Sequence, residues 1–309
     1  MAKIPLPTAG LRVTIAGSYA FVAAGQLWIV DLTDPRRPTF VGGVGSHDDL
    51  ISSVVVSGRF AYVTDTLLGL LVFDVTDPRN PGLVSTTPVP GIAIEVELSD
   101  HYAYVADSPG LVVLDVSDPR NPQITGRVVT PAVAVSVAVS SGAAYVTQAG
   151  SNGGLEVVDV TIPSNPRIVN SLPVSGSGAG RVTVDGDKVR FIYQNNGLEG
   201  GLVLVDGAHV QAPPVDAVIA MPGCFLNEMT AKGGLLYAIE RTPAEEQDRL
   251  CVIDPTDPQN PRIVGSLLIN SAEHGTVAGH YAYVIGADGQ YDEPALFVVD
   301  IRKSKDTRR

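Results

Sequence analysis

The chain has 309 residues, 45% of them apolar and 17% charged, and its 33 acidic against 21 basic side chains leave a net charge of −12. That composition supplies a core and excludes a disordered acidic tail, while the acidity removes the phosphate-neutralising charge that nucleic-acid binding needs. Its 32 glycines and 23 prolines argue against long helices, and its two cysteines exclude a disulfide scaffold or a four-thiolate zinc site.

The opening MAKIPLPTAG shows neither the basic region nor the apolar stretch of a secretory leader. The compartment is therefore left open, extracytoplasmic if that methionine precedes a mature secreted domain. No apolar run reaches the about 18 residues of a transmembrane helix. After AKIPLPT, one phrase recurs: LWIVDLTDPRRP, LLVFDVTDPRNP, LVVLDVSDPRNP, LEVVDVTIPSNP, a degenerate LVLVDGAHVQAP, LCVIDPTDPQNP and a truncated LFVVDIRKSKD. Its aspartates are Asp31, Asp74, Asp115, Asp159, Asp206, Asp254 and Asp300, spaced 41 to 48 residues apart. A period in the mid-forties belongs to arrays with four strands per unit, as in propeller blades.

Around Asp74 the strands are ISSVVVSG, RFAYVTD, LGLLVFDV and PGLVSTT, rich in β-branched and aromatic residues and separated by turn signals. Only TPAEEQDR (242–249) suggests a helical turn. The expectation is an all-β, seven-bladed propeller of four-stranded blades forming one domain over 1–309. Its approximate blades are 9–45, 46–88, 89–130, 131–174, 175–221, 222–269 and 270–301 plus 2–8. The last unit lacks its fourth strand, and an open ring would expose two strand edges. Residues 2–8 are expected to supply that strand and latch the circle. The Asp-Pro pairs at 34–35, 77–78, 118–119 and 257–258 read as turn punctuation, proline being unable to donate to a ladder and aspartate capping turn N–H groups.

The repeated L-V-V-D-V-[ST]-D-P-x-x-P phrase resembles the LVIVD-repeat family. The resemblance implies a β-propeller, frequent in bacterial and archaeal extracytoplasmic proteins, and it carries almost nothing about activity. The fifth unit departs most, having lost the Asp-Pro turn.

Aligning the units on Ala103-Tyr104-Val105 and counting back eight residues gives a column on the innermost strand: Arg12, Ser53, Glu95, Ser136, Arg181, Glu228 and His274. Every member is polar. Two residues on stand Thr14, Val55, Glu97, Ala138, Thr183, Thr230 and Thr276, while the interleaved Val13, Val54, Val96, Val137, Val182 and Met229 are apolar. One strand face is thus wet and the other greasy. Unit five aligns here only with a one-residue longer turn near Asp187. Second strands close on Asp65, Asp107, Gln148, Gln194 and Glu240, on the face carrying the long loops TQAGSNGG, YQNNGLEGG, ERTPAEEQDR and GADGQYDEP. The expected site is a polar, mixed-charge pocket at that channel mouth, with Arg12, Glu95, Arg181, Asp65, Asp107, Gln148, Gln194 and Glu240 as ligand-binding residues.

Glu228 and His274, on adjacent blades, are the candidate acid–base pair of a hydrolase or lyase. Arg12 and Arg181 either pair with Glu95, Glu97 and Glu228 as a structural network or clamp an anionic or hydroxyl-rich ligand. His47, with Asp48 and Asp49, stands on the same face; His101 and His280 are expected in exposed hairpins and His209 in the degenerate turn. No cofactor is expected; calcium on Glu95, Glu97, Asp65 and Asp107 is the alternative. Cys224 and Cys251 are about 9–10 Å apart at the ~4.8 Å strand spacing, too far for a disulfide. The recurring Phe21, Tyr62, Tyr104, Tyr145, Tyr237 and Tyr283 read as inter-blade packing. Two functions stay open: a monomeric propeller binding, and acting on, a small polar molecule at the channel mouth, or a non-catalytic scaffold docking a protein or cell-surface partner on its loop face.

Overall fold

The computed structural model describes residues 1–309 except 46–49, 152, 175–177, 196–198, 208–214, 223–224, 243–246, 258–260, 270, 289–292 and 304–309, with only the backbone at 194, 195, 199, 220–222, 225, 227, 242, 247, 288 and 303. His47, His209 and Cys224 therefore lie outside the described residues, as does half of the segment read as a helical turn, 243–246. Gln247 to Arg249, the end of that segment, belong to the strand Gln247–Asp254 instead.

The alternating apolar and polar residues of each unit form four antiparallel strands, paired in chain order. Innermost strands run Arg12–Ala16, Ile51–Ser57, Ala93–Ser99, Val133–Ser140, Gly178–Asp185, Phe225–Lys232 and His274–Ala278. They neighbour one another in sequence order and the seventh returns to the first, closing the circle. Blades 4 and 5 also share one bridge, Ala149 to Gly178. Blade 7 takes its outer strand from Ala2–Pro5, which pairs antiparallel with Glu293–Asp300 so that Ala2 faces Val298 and Pro5 faces Ala295. The latch covers an edge that would otherwise present unpaired N–H and C=O groups.

Seven apolar clusters sit between successive blades, one per junction. Phe21, Tyr62, Tyr104, Tyr145, Tyr237 and Tyr283 are buried in them. In blade 5 the register pairs Thr183 with Arg190, whereas blade 3 pairs Glu97 with Tyr104. The fifth blade therefore carries Arg190 in the aromatic column, and its inner hairpin has the same two-residue turn as the others. The one-residue longer turn expected near Asp187 does not exist: an arginine in an aromatic place had displaced the alignment.

The repeated aspartates cap turns. Asp31, Asp74, Asp115, Asp159, Asp254 and Asp300 each accept the backbone N–H two residues on, at 2.7–3.1 Å. Asp34, Asp77 and Asp118 do the same for Arg36, Arg79 and Arg120 at 3.0–3.1 Å. These Asx turns place the Pro carbonyls against the previous blade's outer strand, where only a small residue fits. A Cβ on Gly42 would lie 2.2 Å from Pro78 O, one on Gly126 2.2 Å from Pro163 O, and Ser85 Oγ donates to Pro119 O at 2.8 Å. The motif thus fixes both the turn and the seat of the next blade.

Candidate functional site

The polar column meets at the hub of the ring. In blades 2 to 6 a β-bulge precedes or contains it, the register slipping between Ile51 and Ser53, Ala93 and Glu95, Ala134 and Ser136, Ala179 and Val182, and Leu226 and Glu228. A bulge bends the strand and re-aims its side chains. Ser53, Glu95, Ser136, Glu228 and His274 are buried, and the interleaved Val13, Val54, Val96, Val137, Val182 and Met229 are buried on the opposite strand face.

Arg12 reaches from blade 1 to Glu95 of blade 3, Nη2 to Oε1 at 2.9 Å. Arg181 of blade 5 contacts the same Glu95 Oε1 through Nη1, and its Nε lies 2.9 Å from Glu228 Oε1 of blade 6. Met229 N also donates to Glu228 Oε1, at 3.1 Å. His274 of blade 7 puts Nε2 3.7 Å from Glu228 Oε2 and accepts the backbone N–H of Val13, blade 1, through Nδ1 at 3.1 Å. Blade 4 joins through Ser136 Oγ, which accepts from Val182 N at 3.2 Å. Threonines stitch the rest: Thr14 Oγ1 to Val54 O, Thr64 Oγ1 to Ile94 O and Thr147 Oγ1 to Gly180 O, at 3.0, 3.2 and 2.5 Å.

Burial sets the protonation of this hub. His274 is held well below the ordinary imidazole value, first by desolvation and then by the charges of Arg12 and Arg181. The neutral ring carries its proton on Nε2, because Nδ1 accepts from Val13. Burial raises Glu228, with Arg181 and Arg12 working against it. Desolvation also lowers Arg12, helped by the like charge of Arg181, while Glu95 and Glu228 raise Arg181. The acid–base pair expected from sequence is thus adjacent in space but occupied: the one imidazole lone pair holds a backbone N–H, and Glu228 is bound by Arg181 and Met229.

The second-strand residues stand apart from the hub. Register pairs Glu95 with Ala106, which puts Asp107 on the other face of its sheet. Asp65 Oδ1 accepts Leu67 N and Leu68 N at 2.9 Å, and Asp107 Oδ2 accepts Gly91 N at 3.1 Å. Gln148 accepts from Ala132 N at 2.8 Å and donates to Glu156 at 2.9 Å, while Glu240 Oε2 receives the buried Cys251 thiol at 2.8 Å. These groups shape loops and blade interiors, so the pocket expected to combine them with Arg12, Glu95 and Arg181 is not assembled. In blade 5 the equivalent position is Tyr193, paired beside Ala179, and Gln194 lies one residue further on with its side chain outside the described ones. Of the four ligands of the calcium alternative, Glu95 and Glu97 share one strand face while Asp65 and Asp107 hold loop N–H groups. No group of three His, Cys, Asp or Glu comes together among the described residues.

Along the channel, exposure rises from the hub toward the hairpin mouth. Thr14, Val55, Glu97, Ala138, Thr183, Thr230 and Thr276 are half-buried, and beyond them Ser57, Asp185 and Lys232 are exposed. The charged ring is therefore a floor, and the wet part of the channel opens on the face opposite the long loops. His101 and His280 are exposed there, as expected.

The repeat model named LVIVD repeat matches residues 11–45, 51–87, 90–130 and 132–173, four consecutive blades and half of the chain. The chain belongs to the LVIVD-repeat family. Blades 5 to 7 continue the same architecture without matching the model, as the degenerate fifth phrase foreshadows. Among solved structures, the chain is similar to the Cps50 (Swd1) β-propeller domain of Myceliophteria thermophila, at 11% identity and a TM-score of 0.71 over 96% of this chain and 99% of that one. It is also similar to a functionally unknown protein of Desulfotomaculum acetoxidans, at 13% identity and a TM-score of 0.66 over 86% and 87%. The computationally designed Ika8 protein aligns at 7% identity with a TM-score of 0.65 over 96% and 98%. At these identities the likeness shows the propeller fold alone. No curated protein sequence matches the chain, and no helix among the described residues is long and apolar enough to cross a membrane.

Proposed function

We propose that this LVIVD propeller is a non-catalytic scaffold that docks a protein partner on its loop face. The observation that carries this reading is a set of exposed apolar side chains on the loop ends of blades 1 to 4. Leu67 is 67% exposed and Ile92 50%, and Leu11, Val129 and Val133 are exposed at the same end of their blades. Register places Ile92, the turn after Asp107 and Val129 at one end of blade 3. Another exposed series, Phe40, Leu83, Ile124 and Ile263, begins the outer strands unit after unit and is explained by the repeat. Ile92 and Val133, with the 37% exposed Leu50, recur at one position of blades 2 to 4, whereas Leu11, Leu67 and Val129 follow no such repeat. Exposed apolar side chains collected on one face mark interaction sites.

Chemistry at the hub argues the same way. A hydrolase or lyase needs a group free to move a proton, whereas His274 and Glu228 are both engaged within the protein. The expected partner combines apolar anchors with basic flanks, because the chain carries −12 and its remaining loops, ERTPAEEQDR and GADGQYDEP, are acidic.

The test introduces a photo-crosslinking amino acid at Leu67 or Ile92, with Leu83 on the outer strands as the control position. A discrete adduct from the loop positions alone is expected, and the captured protein, purified, should bind at least tenfold more weakly to Ile92→Asp while tolerating Leu83→Asp. Equal crosslinking at Leu83, or an unchanged affinity for Ile92→Asp, would overturn the docking face.

A further inference from the structure

We propose that the hairpin-side half of the channel binds a small primary ammonium ion on Glu97. The charge arrangement around the channel is short of one cation. Three carboxylates, Glu95, Glu97 and Glu228, share the inner wall with two guanidiniums, and His274 remains neutral. Arg12 and Arg181 are committed to Glu95 and Glu228. Glu97 has no hydrogen bond or ion pair among the described residues, and Glu95 Oε2, buried two residues away on the same strand face, has no partner either. An unbalanced charge in a sequestered site is costly, so it is neutralised by a proton or by a cation.

In the protein alone, the proton serves. Glu97 is pushed up to about 7, first by burial and next by Glu95, with Arg181 and Arg12 opposing. Among the described residues the other charged groups on this wall are Asp185 and Lys232 at the exposed hairpin mouth, and Lys232 Nζ donates to Val277 O at 3.3 Å. On the two blades beside Glu97 the same layer carries Val55 and Ala138, and on blades 1, 5, 6 and 7 it carries the hydroxyls of Thr14, Thr183, Thr230 and Thr276. Thr14 Oγ1 donates to Val54 O at 3.0 Å, which leaves its lone pairs free to accept. An ammonium group has three donors and no acceptor, and a carboxylate sharing its layer with hydroxyl oxygens on the other blades answers that pattern. A divalent metal fits less well: it seeks several carboxylates, and this layer holds one. The site is open to solvent on the hairpin side, so a small ligand reaches it without disturbing the hub.

The test uses the full chain and methylammonium chloride, with potassium chloride at equal ionic strength and ethanol as controls. Carboxyl carbon NMR of Glu97 should show its midpoint near 7 fall by at least one unit with methylammonium and by much less with either control. Calorimetric affinity should weaken about 30-fold between pH 8.5 and 5.5, as protonation removes the carboxylate. Glu97→Gln, of the same shape, should abolish binding with an unchanged melt, and Thr230→Val should weaken it. The proposal is overturned if potassium shifts the Glu97 midpoint as far as methylammonium, if affinity ignores pH, or if Glu97→Gln binds as tightly as the wild type. None of these outcomes bears on the docking face, which lies at the other end of the blades.

Discussion

His274 of the seventh blade accepts the Val13 N–H of the first at 3.1 Å, so the ring is joined at its hub as well as at its rim, where Ala2–Pro5 completes the last sheet. Hub and rim closures act on the same junction. Replacing His274 by alanine should leave a buried backbone N–H unsatisfied and cost about 1–3 kcal/mol, read as a lower urea midpoint at constant slope. Deleting residues 1–8 should lower the melting temperature further and cause aggregation through the bared edge. A truncated protein that melts like the full chain and stays monomeric would show that the rim strand does not close the ring.

Glu95 is the hinge of the charged network, because both guanidiniums meet its Oε1. Glu95→Ala strands the largely desolvated Arg12 and leaves Arg181 with Glu228 alone, which predicts a loss of about 3–5 kcal/mol in folding free energy. Chemical denaturation of that variant decides the point. A loss no greater than that of an exposed pair, such as Arg59→Ala opposite Asp74, would mean the hub contributes little.

Stability should depend on pH in two opposite ways. Asp31, Asp74, Asp115, Asp159 and Asp254 are held below the ordinary 3.8, chiefly by Thr and Ser side-chain hydroxyls and then by backbone N–H groups. Their folded values are depressed, so their contribution is complete above the unfolded value and lost as the pH falls below it. Glu97 is the reverse, raised from 4.5 to about 7. Between those values the folded state binds more protons than the unfolded one, so stability declines as pH rises through the window. His274, held well below the ordinary 6.5, acts the other way in this window, so the Glu97 contribution is read by comparison. In denaturation, the stability of the wild type relative to Glu97→Gln should fall as pH rises from 4.5 to 7. A difference between the two proteins that stays flat or grows in favour of the wild type over that window would contradict this assignment.

Gly126→Val should destabilise by about 1–3 kcal/mol or more, since its Cβ would meet Pro163 O at 2.2 Å and a backbone carbonyl has little room to retreat. Ser85→Gly, which leaves space and loses only the bond to Pro119 O, should cost less. Thermal melts of the two compare them directly. Equal effects would mean that the motif turn is not seated on the neighbouring strand.

Much of the architecture was legible because each blade repeats one local problem: an apolar strand face, an Asx turn and a proline. Even Arg12, Glu95, Arg181, Glu228 and His274, far apart in the chain, came together once the repeats were aligned. What the alignment lacked was depth. The bulges before Ser53, Glu95, Ser136 and Glu228 leave no mark in a two-residue period, so the column read as an open mouth when it is a closed floor. Asp65 and Asp107 were placed at the right end of their strands, but their direction depended on pairing, and pairing sent them to loop N–H groups. The seats at Gly42, Ser85 and Gly126 do recur in sequence as small residues, a signal visible only after the bulge between Phe40 and Gly42, and its equivalents, shifts the outer strand's register.

On the proposed reading the hub stitches the propeller together without transferring protons, and the ring nitrogens of His274 report on that role. Nitrogen NMR across pH 5 to 8 should find Nε2 protonated, Nδ1 unprotonated and coupled to Val13 N–H, and neither signal moving. An imidazole that titrates within that range, or that carries its proton on Nδ1, would contradict the account.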